Sequence, residues 1–243
     1  MELKDIDVWF DVRSDCPKPK PKPSSNRMPD PDNASPTLKA YHQLLWSKRL
    51  PNGEFMALES TKNFYLKWKD FYFGSDSIIV SFMHSKFKLR ELVQSSIFNY
   101  AEYREQYQHR SYTIGGSVIF PQHRWSMNQA RGCSRKISDR WDLTLECIRR
   151  YYLGESNPLD SVFEKDASFF DLFLDFKGYV DFFFFQDCVD DNYNVKFWLD
   201  TPLWDTYPMP KTLEEYHSWM KQEQDFLEKR AKRIADYCKQ AKQ

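Results

Sequence analysis

The sequence predicts an α+β fold: a mostly antiparallel sheet packed by several helices, with a long helix towards the C-terminal end. Three observations lead there. Short strand-like segments mostly precede the helical ones, without regular strand–helix alternation. Two stretches carry apolar residues at helical spacing, namely Ile137, Trp141, Leu145, Ile148, Tyr152 and Leu213, Tyr216, Met220, Leu227, Ile234, Tyr237. Only seven glycines occur in 243 residues, which argues against a turn-dense all-β chain, while 20 Phe, 14 Tyr and 8 Trp can fill a large core. Residues 1–243 are expected to form one globular domain.

The elements follow in order. Residues 5–13 alternate, with Ile6, Val8, Phe10 and Val12 on one side and Asp5, Asp7, Trp9 and Asp11 on the other, the pattern of a half-buried strand. Residues 16–34 are rich in proline and lysine and read as a surface loop or insertion. Ser35 and Pro36 supply a cap and a first-turn proline for a helix burying Leu38, Tyr41 and Leu45. That helix stops before the turn Leu50-Pro51-Asn52-Gly53. Strand-like pieces come at 55–58, 64–68 and 77–82, then helical sequence over 86–109 with a break near Ser95-Ser96. Tyr112, Ile114, Val118 and Phe120 mark a strand around Gly115-Gly116, closed by Pro121. The patterned helix over 137–152 comes next. Segments 160–174 and 178–190 read as helices, although the run Phe182 to Phe185 also suits a buried strand. Residues 195–199 alternate as a short strand, and Thr212 opens the last helix.

Charge narrows the function. The formal net charge is zero, unlike that of a nucleic-acid coat or a membrane-surface protein. The distribution is uneven: Arg104 to Arg150 holds nine Lys/Arg against four Asp/Glu, and Glu155 to Asp205 holds twelve acids against three Lys. No apolar run approaches the ~18 residues that span a bilayer, and no secretory signal is evident, so the expected compartment is the cytoplasm. The five cysteines are odd in number and widely spaced, as reduced thiols of such a compartment would be. Neither a phosphate-binding glycine loop nor a dinucleotide fingerprint is present, and no cofactor is expected.

The basic centre carries the candidate site. Arg131, Arg135, Lys136 and Arg140 gather around the start of the patterned helix, where backbone N–H groups and cations converge on a phosphate or carboxylate. Gly115-Gly116 would let such a ligand approach the backbone. Asp142 and Glu146, on the same helix, are the candidate acid/base residues, with His109 as a reserve base. The plainer reading pairs these cations with Asp139, Asp142 and Glu146. The three acids also have metal-ligand spacing, but neighbouring arginines compete for them, and no metal site is expected. Arg104 and His109 form an Arg-x4-His pattern that resembles, over six residues, that of HEPN-type ribonucleases.

Several longer blocks together resemble a microbial family of unknown function: SPTLKAYHQLLWSKRLPNG (35–53), GSDSI (74–78), TIGGSVIFP (113–121), ARGCSRKISDRWDLTLECIRRYY (130–152) and DFKGYVDFFFFQD (175–187). The resemblance implies one complete domain of a microbial cytosolic protein; it carries over no function and assigns no catalytic residue. Two functional expectations stand. One is an enzyme acting on a phosphate-bearing small molecule or RNA, as a toxin or phage-defence effector would. The other is a non-catalytic module that senses a ligand or docks a protein partner. No membrane partner is expected.

Overall fold

Ser35 and Pro36 start the first long helix as their chemistry dictates. In the computed structural model of the chain, which describes residues 1–17, 30–62, 65–78, 88–123, 126–131, 136–138, 140–200 and 209–240, a short helix α1 (Pro31–Ala34) runs into α2 (Pro36–Trp46). The Ser35 hydroxyl accepts from Leu38 N at 3.0 Å and donates to Asp15 at 2.6 Å, so one side chain caps the helix and ties it to the preceding segment. After α2 the chain reverses through Leu50–Gly53, where Gly53 takes φ 90°.

Among the described residues four strands follow: β1 (Glu59–Ser60), β2 (Leu66–Trp68), β3 (Phe71–Ser77) and β4 (Ser117–Pro121). They form an antiparallel sheet in the order β1-β2-β3-β4, with Phe73 opposite Pro121 and Ser77 opposite Ser117. Between β3 and β4 lie α3 (Arg90–Ser96) and α4 (Tyr100–Ser111), separated at the expected break. After the sheet come α5 (Met127–Ala130), α6 (Trp141–Leu153), α7 (Asp160–Phe170), α8 (Phe176–Phe182) and the long α9 (Leu213–Gln240). The class is α+β, and the expected long C-terminal helix is present. Among the described residues no helix is long and apolar enough to cross a membrane.

Phenylalanine builds much of the interior. Phe169, Phe173 and Phe183 are fully buried, and Trp46 and Trp141 join the same cluster from α2 and α6. The apolar stripe of α6 points inward as the spacing requires, with Trp141, Leu145 and Ile148 wholly buried.

Several elements differ from expectation for local reasons. Residues 5–13 form no strand. The aspartates that created the alternation turn the chain instead, since Asp7 accepts from Trp9 N and Asp11 from Arg13 N. Ile6, Val8 and Val12 are still buried, so the pattern located the core side but not the conformation. Residues 55–58 and 195–199 contribute only isolated bridges, from Phe55 to Arg49 and from Val195 to Val189. The patterned helix begins at Trp141 rather than Ile137, because Arg140 is extended at φ −70°, ψ 128°. The segment 178–190 is not one continuous helix: α8 ends at Phe182, Phe184 at φ 59° turns the chain sharply, and only a short 3-10 helix, Gln186–Cys188, follows. Residues 18–29 of the Pro/Lys-rich segment and 79–82 of the third strand-like piece lie outside the described residues.

The pair Gly115-Gly116 serves packing. A Cβ on Gly116 would stand 1.9 Å from the carbonyl oxygen of Ser111, so only glycine lets the end of α4 lie against the start of β4. The close approach there is made by backbone of the same chain.

Candidate functional site

The expected site residues fall into three places. Arg131, Arg140 and Asp142 come together in one buried network. Arg131 Nε donates to Thr144 Oγ1 at 2.8 Å, its Nη1 reaches Asp76 at the end of β3, and its guanidinium lies 5.4 Å from the centre of the Trp141 ring. Arg140 Nε donates to Asp142 Oδ1 at 3.0 Å and its Nη2 holds the other carboxylate oxygen, which also accepts Trp198 N at 2.9 Å. Thr144 Oγ1 donates to Arg140 O, linking the two arginines. The side chains of Arg131, Arg140 and Asp142 have no solvent exposure, and only Asp76, at 21%, opens outward.

Glu146 sits one turn further along α6 and is gripped by Arg149 Nε and Arg150 Nε, both at 2.8 Å. Lys136 is exposed and bonds Ser161. His109 lies apart on α4, its Nδ1 3.5 Å from Asp11. Arg104 and His109 are five positions apart on one helix, about 140° around its axis, so that helix does not aim them at one point. Arg135 and Asp139 lie outside the described residues. Arg131, Arg140, Asp142 and Glu146 are therefore engaged with partners of the same chain, and the first three brace α6 against β3 and the Trp198 segment.

Asp142→Ala is expected to cost about 3–5 kcal/mol of stability, because it removes a buried carboxylate that Arg140 holds through two nitrogens and that Trp198 N uses as its acceptor. Urea denaturation measures it. A loss below ~1 kcal/mol would mean that the carboxylate is dispensable to the fold.

A different constellation carries more unspent chemistry. Lys48 follows the C-terminus of α2, and its side chain enters a nest of rings. Its Nζ lies 4.0 Å from the centre of Phe184, 4.5 Å from Phe182, 4.9 Å from Tyr237 and 5.1 Å from Trp46. Among the described residues it makes one hydrogen bond, to Phe182 O at 2.6 Å. A protonated amine has three N–H donors, so the rings face what remains. Burial and the nearby Arg230 charge pull the Lys48 pKa down to about 7.

This amine borders a cavity of about 570 Å³, whose walls include Leu50, Pro51, Leu174 and Tyr237. The wall is strained in two places. Leu174 takes φ 68°, ψ −49°, and Asp175 N bonds Phe173 O at 2.8 Å across it, which makes a γ-turn of the rare hand. Leu174 is 65% exposed, so burial of that leucine does not offset the strain. Phe184, directly over the amine, is the second residue at positive φ. A second lysine, Lys177, also lines the cavity, but its partner Asp181 holds its pKa above the usual lysine range.

The model of one protein family, a family of unknown function named DUF6994, matches residues 6–234. The chain belongs to the DUF6994 family. No curated protein and no solved structure matches it. Membership covers every residue of the cavity except Tyr237, and DUF6994 as a family attaches no chemistry to any of them.

Two further buried polar side chains, His42 and Arg230, are engaged within the fold. His42 is wholly buried, with its pKa lowered by desolvation to about 3. Trp46 Nε1 donates to its Nδ1 at 2.8 Å, so Nε2 carries the proton and donates to Ser75 Oγ at 3.1 Å. A serine nucleophile needs the opposite sense, with Nε2 accepting. Arg230, also buried, donates to Gly115 O, Ser117 O and Phe183 O, and so pins α9 to β4 and to the end of α8. Neither Lys48 nor this arginine stood out in the sequence. The available signal for Lys48 was slight: a lysine between Trp46 and the Leu50–Gly53 turn.

Proposed function

We propose that this DUF6994 protein is a small-molecule-binding module, with the ligand seated in the Lys48 cavity. A single observation carries the reading: an amine enclosed by four rings, with one hydrogen bond, at the wall of an open cavity. Burying a cation with so few partners costs stability, and proteins keep such arrangements where a ligand benefits from them. Strained Leu174 and Phe184 on the same wall point the same way. The apolar surfaces suit a compact hydrophobic body, and Lys48 suits an oxygen-bearing head group. An enzyme acting on phosphate through Arg131 and Arg140 is less well supported, since a phosphate there would have to displace buried partners.

Benzoate, an apolar ring with one carboxylate, is the test ligand. Titration calorimetry is expected to show binding at pH 6, where Lys48 is protonated, weakening by up to about tenfold by pH 8 as the charge is lost. Lys48→Met should abolish it. Equal binding by wild type and the Met variant would exclude the cavity amine as the recognition element.

A further inference from the structure

The cavity holds two lysines in opposite chemical states. Lys177 Nζ is exposed and paired with Asp181, which keeps it an ammonium with no lone pair. Lys48 Nζ has no carboxylate partner among the described residues and lies against ring faces. Its bond to Phe182 O uses one N–H, which a neutral amine also possesses, so deprotonation leaves that contact in place and frees a lone pair. Desolvated lysines of this kind are the ones that attack carbonyl groups.

We propose that Lys48 is a reactive amine and that the cavity takes a small aldehyde or ketone with an apolar body, which Lys48 binds covalently as an imine. This rests on the small-molecule reading of the same cavity. The Nζ lone pair attacks the carbonyl carbon, forming a C–N bond while the carbonyl π electrons move to oxygen. The carbinolamine then loses that oxygen as water, which carries away both protons of the amine and leaves C=N. No oxidant or reductant is consumed, and hydrolysis returns the free lysine. The rings of Phe182, Phe184 and Tyr237 shield the imine nitrogen, and the open side of the cavity admits the water that reverses it. Asp175 is committed to capping α8 through Gly178 N at 2.7 Å. Asp181 is committed to Lys177, Gln186 and Tyr193. Neither aspartate is thus bonded to Lys48.

The protonation of Lys48 is set by groups on each neighbouring element. Arg230 on α9 lowers its pKa, and Cys238 on the same helix raises it. Asp175, Lys177 and Asp181 face the cavity from α8 and its cap, with Arg49 beside Lys48 and Tyr237 opposite. Burial outweighs the rest, so about half of Lys48 is neutral at pH 7, against roughly one part in several thousand for an ordinary lysine.

The experiment uses the unmodified full chain with benzaldehyde and sodium cyanoborohydride, which reduces an imine to a stable benzylamine. Peptide mass spectrometry then locates the adduct. Lys48 is expected to label at least about tenfold faster than Lys177, with a rate that rises from pH 6 to pH 8. Labelling that spreads over exposed lysines and spares Lys48 overturns the imine. Benzoate binding that depends on Lys48, with no adduct there, overturns the imine and supports the cavity alone. Failure of both overturns both. Prior benzoate should slow the Lys48 adduct at pH 6; labelling indifferent to saturating benzoate would overturn the shared cavity.

Discussion

Lys48→Met is expected to stabilise the protein by about 1–4 kcal/mol at pH 6, as replacing a poorly compensated buried charge with an apolar side chain of similar length commonly does. The methionine would keep contact with the rings of Phe182, Phe184 and Tyr237. Losing the bond to Phe182 O offsets ~1 kcal/mol of the gain. The sign of the pH dependence follows from the lowered pKa. Between about 7 and the ordinary 10.5 the unfolded chain holds a proton that the folded chain has shed, so wild-type stability rises with pH across that window. Below pH 7 both states are protonated and the full cost of the buried ammonium applies. The advantage of the methionine variant should therefore be greatest below pH 7 and shrink steadily above it. Urea denaturation of both proteins at pH 6 and pH 9 measures this. A variant less stable than wild type at pH 6 would make Lys48 a structural residue and remove the energetic argument for a ligand. Gain of stability with loss of benzoate binding is the pattern of a site residue retained at the fold's expense.

Arg230→Met should do the reverse, lowering stability by on the order of 3–6 kcal/mol, again by urea denaturation. Lys48 is a partly buried cation and Arg230 a wholly buried one, and their surroundings differ in kind. Arg230 bonds Gly115 O at 2.6 Å, Ser117 O at 2.9 Å and Phe183 O at 3.2 Å, and its guanidinium lies 4.4 Å from the centre of Phe185. Methionine would take charge-assisted donors from three carbonyls, and a wholly buried position offers no water in return. Burial draws the Arg230 pKa down to about 9, which still leaves it protonated at neutral pH. A loss under ~1 kcal/mol would show that those carbonyls find other donors.

Much of the fold was legible because its signals are local. Ser35 and Pro36 mark the start of α2, the spacing of Trp141, Leu145 and Ile148 gives the apolar side of α6, and that of Tyr216, Met220, Leu227 and Ile234 gives the buried side of α9. Elements failed where side chains diverted the backbone. Asp7 and Asp11 fold the first segment into turns, and Phe184 breaks a run of rings that reads as continuous. The charged stripe of α6 was legible as a stripe but not as a site. Spacing places Asp142 and Glu146 on the helix, yet it cannot say that Asp142 is held by an extended Arg140 and by Trp198 N from 56 residues away. The Lys48 cage is harder still, since its carbonyl partner lies 134 residues off and its rings come from three separate segments. Nothing in the neighbourhood of residue 48 encodes that meeting.

The grip of Arg230 on β4 also bears on how the chain reaches its native state during synthesis. The carbonyls of Gly115 and Ser117 must wait for a donor that lies 115 and 113 residues further on. Until residue 230 has been made, the Ser117 end of the β3–β4 pair lacks the donor it bonds in the folded chain, and gains it only when α9 docks.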